Sequence, residues 1–132
     1  MTKKALFMTS NQGIEQDELI KPFEFLQGKG IEVIHAAEKN EDVQTVKSDK
    51  EPATRYTPHT TLENVAVEDY DILVIPGGTV NADTLRINPD AQKIIQHFTD
   101  HQKPIAAICH APWTLINAER IRDKNLTSYK SI

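Results

Sequence analysis

The chain has one cysteine, and the residues around it suggest chemistry. Ala107-Ile108-Cys109-His110-Ala111 places a nucleophile between small residues at the end of an apolar run. That pattern suits a nucleophile elbow, a tight strand-to-helix turn whose small neighbours let one side chain project from the top of a sheet. Pro112 fits the first turn of a following helix, because its missing N–H would be unpaired there anyway. A thiol at such a helix start meets exposed N–H groups and the macrodipole, which favour thiolate. Cys109 is therefore expected below the ordinary thiol pKa of about 8.5. The competing reading is a buried cysteine that merely ends a core strand. The small flanks, the following histidine and the place at a strand's carboxyl end favour the functional one.

Three further features bear on that thiol. Pro76-Gly77-Gly78 closes a second apolar run, and its glycines let backbone N–H groups approach a ligand, as an oxyanion hole requires. An ordinary glycine turn is the alternative. Glu15 and Glu18 lie three apart at a helix start and share a face at the rim of the same crevice. Either could hold the thiol by a hydrogen bond; equally, both could be there for the helix dipole. His110 can act as base to Cys109 only if the turn folds adjacent side chains together, since neighbours normally diverge. His97 and His101 have metal-ligand spacing but no third ligand, so helix-end histidines are the better reading and no metal is expected.

These residues need a scaffold. Lys4 to Thr9 reads as a buried strand ending in a polar loop. A helix follows from about Glu15, with Leu19, Phe23 and Leu26 on one face and a stop at Gly28 and Gly30. Pro22 either starts that helix or kinks it. Ile31 to Ile34 is a β-branched strand. Lys39 to Thr61 has no clear period and reads as an irregular excursion, with room for a short hairpin around Val43 to Val46. Asp71 to Ile75 and Pro104 to Ile108 are apolar strands. Between them Ala91, Ile94, Ile95 and Phe98 mark a helix entered by Asn88-Pro89-Asp90. A helix is expected from Pro112 to about Ala118 and a strand at Leu126 to Tyr129. Alternating helices and continuous apolar strands imply a doubly wound α/β parallel sheet covered on both faces. Ligands sit at the carboxyl ends of such strands, which selects Ser10–Glu18, Pro76–Val80 and Cys109–Trp113.

Composition bounds the rest. At 132 residues the chain is read as a single domain over 1–132. A net charge of −4 and a pI near 5.7 argue against a nucleic-acid or anionic-membrane partner. One cysteine excludes a disulfide framework and a zinc site of paired cysteines. The apolar run Ala5 to Met8 is too short for a signal peptide or a membrane span, so a soluble, cytoplasmic protein is expected.

At Ala106 to Pro112, with Asp71 to Gly78 upstream, the chain resembles the DJ-1/PfpI superfamily, and within it the PfpI-type intracellular protease branch. Glu15-x-x-Glu18-Leu19-x-x-Pro22 resembles that family's first-helix motif, and Asn125 to Tyr129 the strand after its elbow helix. The resemblance implies a flavodoxin-like sheet in a class I glutamine amidotransferase-like sandwich. It makes Cys109 the nucleophile, His110 the adjacent histidine, Glu15 and Glu18 the two acids, and Gly77 and Gly78 the oxyanion-side backbone. Glu18 is favoured as the thiol's partner because its spacing to Pro22 matches the broader superfamily. Ala111 stands where the family commonly has glycine. The chain stops at Ser131-Ile132, where the family continues with a strand and a terminal helix.

The resemblance further implies no cofactor, a homo-oligomer, and a small-molecule or peptide substrate attacked at a carbonyl, such as an amide, a 2-oxoaldehyde or a glycation adduct. The other reading is a non-catalytic redox-sensing or chaperone-like stress protein using an oxidisable Cys109. A glutamine amidotransferase would need a His-x-Glu pair after Cys109, and none is present.

Overall fold

In the computed structural model, which describes residues 2–119, an open parallel sheet carries the site. Strand β1 (Lys4–Thr9) is followed by β2 (Gln12–Glu15), helix α1 (Gln16–Gly28) and β3 (Glu32–Ala37). Strands β4 (Val43–Lys47), β5 (Glu51–Tyr56) and β6 (Thr60–Thr61) come next, then two single 3-10 turns and β7 (Ile72–Ile75). The described residues continue with α2 (Thr79–Leu85), α3 (Pro89–Asp100), β8 (Ile105–Ala107) and α4 (Pro112–Asn117). The main sheet has the order β6-β3-β1-β7-β8, and every pairing in it is parallel. The expected doubly wound, flavodoxin-like α/β architecture is therefore present.

Strand periodicity explains the two cores. Along β1, Leu6 and Met8 face Leu73 and Ile75 of the sheet together with Leu85, Ile94, Ile95 and Phe98 of α2 and α3. Ala5 and Phe7 face the other way, toward Leu19 of α1 with Val33 and Val74. The α3 entry is as expected: the Asn88 side chain accepts from the Ala91 N–H at 3.0 Å, and Pro89 follows it.

Several boundaries change. The Lys39–Thr61 excursion is ordered: β4 and β5 form an antiparallel hairpin, β2 joins it as a third strand, and β6 adds an edge to the main sheet. Pairing across strands supplies the order that the sequence's local pattern lacks. Helix α1 runs through Pro22, which removes the N–H that would close on the Glu18 carbonyl. The short helix α2 was not expected, because only two apolar residues of its seven, Ala82 and Leu85, are buried. The expected strand at Leu126–Tyr129 lies outside the described residues. Among those described, no helix is long and apolar enough to cross a membrane.

Candidate functional site

The three loops selected at the strand ends meet above β1, β7 and β8, where the strand order reverses direction. Asn81 of α2 ties two of them together and is fully buried. Its side-chain oxygen accepts from Ser10 N–H at 2.7 Å and Ser10 Oγ at 2.8 Å. Its amide donates to the Pro76 and Gly77 carbonyls at 3.0 and 3.1 Å. All four hydrogen bonds of one amide are thus spent on holding the β1 loop against the Pro-Gly-Gly turn.

Close packing then accounts for the glycines. A Cβ on Gly78, whose φ is +99°, would lie 2.0 Å from the Gly13 carbonyl oxygen. A Cβ on Gly77 would lie 2.4 Å from Glu18 Oε1 and 2.7 Å from Cys109 Cβ. Gly77 therefore sits between Glu18 and Cys109.

Cys109 has φ of +59°, the left-handed conformation that an elbow stores as strain. Its sulfur lies 3.3 Å from Nδ1 of His110, so the turn does fold the adjacent side chains together. His110 is 4% exposed, and its ring meets the edge of Trp113 with centroids 5.2 Å apart. The Arg86 guanidinium covers the Trp113 ring at 5.1 Å.

The two acids separate. Glu18 Oε1 accepts from the Gly77 N–H at 2.8 Å. Glu15 ends β2 instead of sharing the helix face, and its carboxylate accepts from the Asp49 N–H at the β4–β5 turn. Glu18 is thus the acid on the Cys109 side of the Gly77 turn. Gly77's donor is committed to that carboxylate, which leaves the N–H groups of Gly78 and His110 bearing on the sulfur.

Charge at the site differs from expectation. Burial pushes the Cys109 thiol above its ordinary value, and the Glu18 and Asp49 carboxylates add to the push, against the N–H groups of His110 and Gly78. The depressed thiol expected from a helix start is absent: α4 begins three residues later, at Pro112, and is only 6 residues long. Burial likewise pushes the Glu18 carboxyl up, opposed by the Gly77 hydrogen bond and helped by Glu15, Asp49 and Asp17. Asp49 and Asn81 were missed in the sequence. Ser48-Asp49 between strand-like runs carried a turn signal, whereas nothing local distinguishes Asn81. His97 and His101 stack on each other at 4.0 Å, and no cluster of three metal-ligand residues exists among the described residues.

Comparison with known proteins decides the family. Residues 3–132 match the DJ-1/PfpI family. The chain belongs to that family. It is 34% identical over 134 residues to the deglycase PH1704 of Pyrococcus horikoshii, covering 98% of this chain and 74% of the relative. It is 33% identical over 132 residues to protein/nucleic acid deglycase 2 of Escherichia coli, covering 100% of this chain and 74% of that protein. Its fold superposes with a TM-score of 0.90 and 29% identity on a two-domain protein of Anabaena variabilis with DJ-1/ThiJ/PfpI-like and ferritin-like domains. That match covers 99% of this chain and 36% of the Anabaena protein. The DJ-1/PfpI chain thus spans about three quarters of its deglycase relatives and a third of the two-domain one.

Proposed function

We propose that the chain acts as a cysteine-nucleophile enzyme on carbonyl substrates, with a 2-oxoaldehyde or a glycation adduct as the preferred class and a peptide amide as the second. The observation that carries this reading is the left-handed Cys109 with its sulfur against His110 Nδ1 at 3.3 Å. A thiol held above its ordinary pKa needs a base at the moment of attack, and His110 fills that role. The Cys109 sulfhydryl proton passes to His110 Nδ1 as the S–C bond forms. The carbonyl π pair moves to oxygen, which accepts from the Gly78 N–H. Glu18 holds Gly77 and so keeps that turn in place, and it carries a proton more readily than an ordinary glutamate. For an amide, the imidazolium returns the proton to the leaving amine, and water then hydrolyses the thioester. The deglycase names of both relatives favour the aldehyde-derived class.

The test is turnover of methylglyoxal and of a glycated peptide by the full chain, beside Cys109→Ser and His110→Ala. Loss of turnover in Cys109→Ser with a fall of about 10²-fold or more in His110→Ala is expected. Full activity in Cys109→Ser would end this reading.

A second reading has its own observation. The raised Glu18 carboxyl can donate a hydrogen bond to an oxidised sulfur, which favours a sensor in which Cys109 is held as sulfinate. Mild peroxide should then add two oxygens and stop; progress to mixed products counts against it.

A further inference from the structure

The β4–β5 hairpin tip is wired into the Cys109 site from a distance of 60 residues in the chain. Ser48 and Asp49 form a left-handed turn, with φ of +54° and +62°. Both oxygens of the Asp49 carboxylate are held by Thr79: Oδ1 by its N–H and Oδ2 by its hydroxyl, each at 2.9 Å. Thr79 directly follows Gly78. The Asp49 N–H donates to Glu15, the Glu15 N–H reaches the Gly77 carbonyl at 3.4 Å, and the Gly77 N–H donates to Glu18. This closed circuit fixes the Asp49 carboxylate beside the turn that faces the sulfur, while leaving the residue exposed to solvent.

The geometry points to Asp49 as a specificity-determining residue: its fixed carboxylate makes the Cys109 site accept uncharged and cationic carbonyl compounds and turn away those that bear a carboxylate. This rests on the reading of Cys109 as an accessible nucleophile. One further observation agrees: the carboxylates that push the Cys109 thiol up include that of Asp49 as well as that of Glu18.

Alkylation rates test this without requiring turnover. The full chain is treated in parallel with neutral iodoacetamide and anionic iodoacetate at about pH 8.5, above the ordinary histidine range. Intact mass follows the product, which the single cysteine makes unambiguous. Both reagents attack the same thiolate, so the ratio of their rates is independent of its pKa. N-acetylcysteine amide, which carries no charge besides the thiolate, supplies the ratio intrinsic to the reagents. Preference for iodoacetamide should exceed that control by about 3- to 10-fold at low salt. It should shrink toward the control at about 0.5 M salt.

Asp49→Asn keeps an oxygen acceptor for the Thr79 N–H and should lower the preference while Glu18 remains; Asp49→Glu should keep it. A wild-type ratio equal to that of N-acetylcysteine amide, no change with salt, or an unchanged ratio in Asp49→Asn each overturns the proposal. The salt series needs no variant, so it decides even if Asp49→Asn does not fold. Alkylation without charge discrimination leaves the proposed nucleophile standing and removes only the selectivity. Resistance of Cys109 to both reagents removes the nucleophile, and the selectivity with it.

Discussion

The sulfur of Cys109 lies 3.3 Å from Nδ1 of His110, although the two residues are consecutive. Side chains of neighbours normally diverge, and here a left-handed φ at the first of them turns both to one side. Thiol and imidazole are therefore brought together by a single dipeptide, and the cost of the arrangement is concentrated on one backbone position.

That cost can be measured. Glycine adopts a positive φ without steric penalty, so Cys109→Gly should unfold within about 1 kcal/mol of the wild type, or above it, while losing all thiol reactivity. Urea unfolding checks this. A loss of 2 kcal/mol or more, on the order of a buried side chain's worth, would mean that packing of the thiol outweighs the strain.

Gly77 and Gly28 should respond oppositely to alanine. At Gly77 the new Cβ would press on Glu18, Cys109 and the Ile108 carbonyl, whereas at Gly28 nothing lies within 4 Å. Gly77→Ala should cut Cys109 alkylation and destabilise the fold by about 1–3 kcal/mol. Gly28→Ala should leave alkylation alone and be neutral or stabilising by up to about 1 kcal/mol. Equal behaviour of the two would contradict the tight packing between Glu18 and Cys109.

Asn81→Ala should cost about 2–4 kcal/mol, because two carbonyls and the Ser10 donors lose their partner inside the protein. Asn81→Asp should be no better: it keeps the acceptor but turns a carboxylate toward the Pro76 and Gly77 carbonyls. Chemical denaturation and the Cys109 alkylation rate should fall together, since the same amide joins both loops. A stable variant with unaltered alkylation would show that the two loops hold each other without it.

Acid should weaken the fold through His35, which is 3% exposed and bonded through Nε2 to Thr9 Oγ1 at 2.8 Å. Burial, with the nearby His59, lowers its pKa from 6.5 to about 4. The unfolded chain takes up this proton near 6.5 and the folded chain only near 4, so the unfolded state binds more protons between them. Stability contributed by neutral His35 is full above pH 6.5 and falls as pH drops to 4, by about 3 kcal/mol in all. The imidazole resonances followed by NMR give the pKa directly. A value near 6.5 in the folded protein would refute the assignment, and His35→Gln should flatten the slope.

Much of the scaffold was legible in local sequence because it depends on local preferences. Continuous apolar runs marked β1, β7 and β8, helical spacing of Ala91, Ile94, Ile95 and Phe98 marked α3, and Asn88-Pro89 marked its entry. The β4–β5 hairpin was legible only as room for a short hairpin around Val43 to Val46, because its exposed edge strand β5 buries no face and so leaves no apolar period. Its order comes from β4, which pairs with β2 on one side and β5 on the other.

The same division runs through the site. By itself the sequence determined that one thiol follows an apolar strand between small residues, that a Pro-Gly-Gly turn closes a neighbouring strand, and that a parallel sheet brings both to one edge. Those follow from residue type and period, which act over a few positions. Tertiary structure alone decided that the Glu18 carboxylate and not that of Glu15 accepts from the Gly77 N–H, that Asp49 and Asn81 are tied to the same loops, and that the thiol is raised and not depressed. Each of these depends on burial or on contacts between residues 30 or more apart in the chain, and neither exists until the chain is folded.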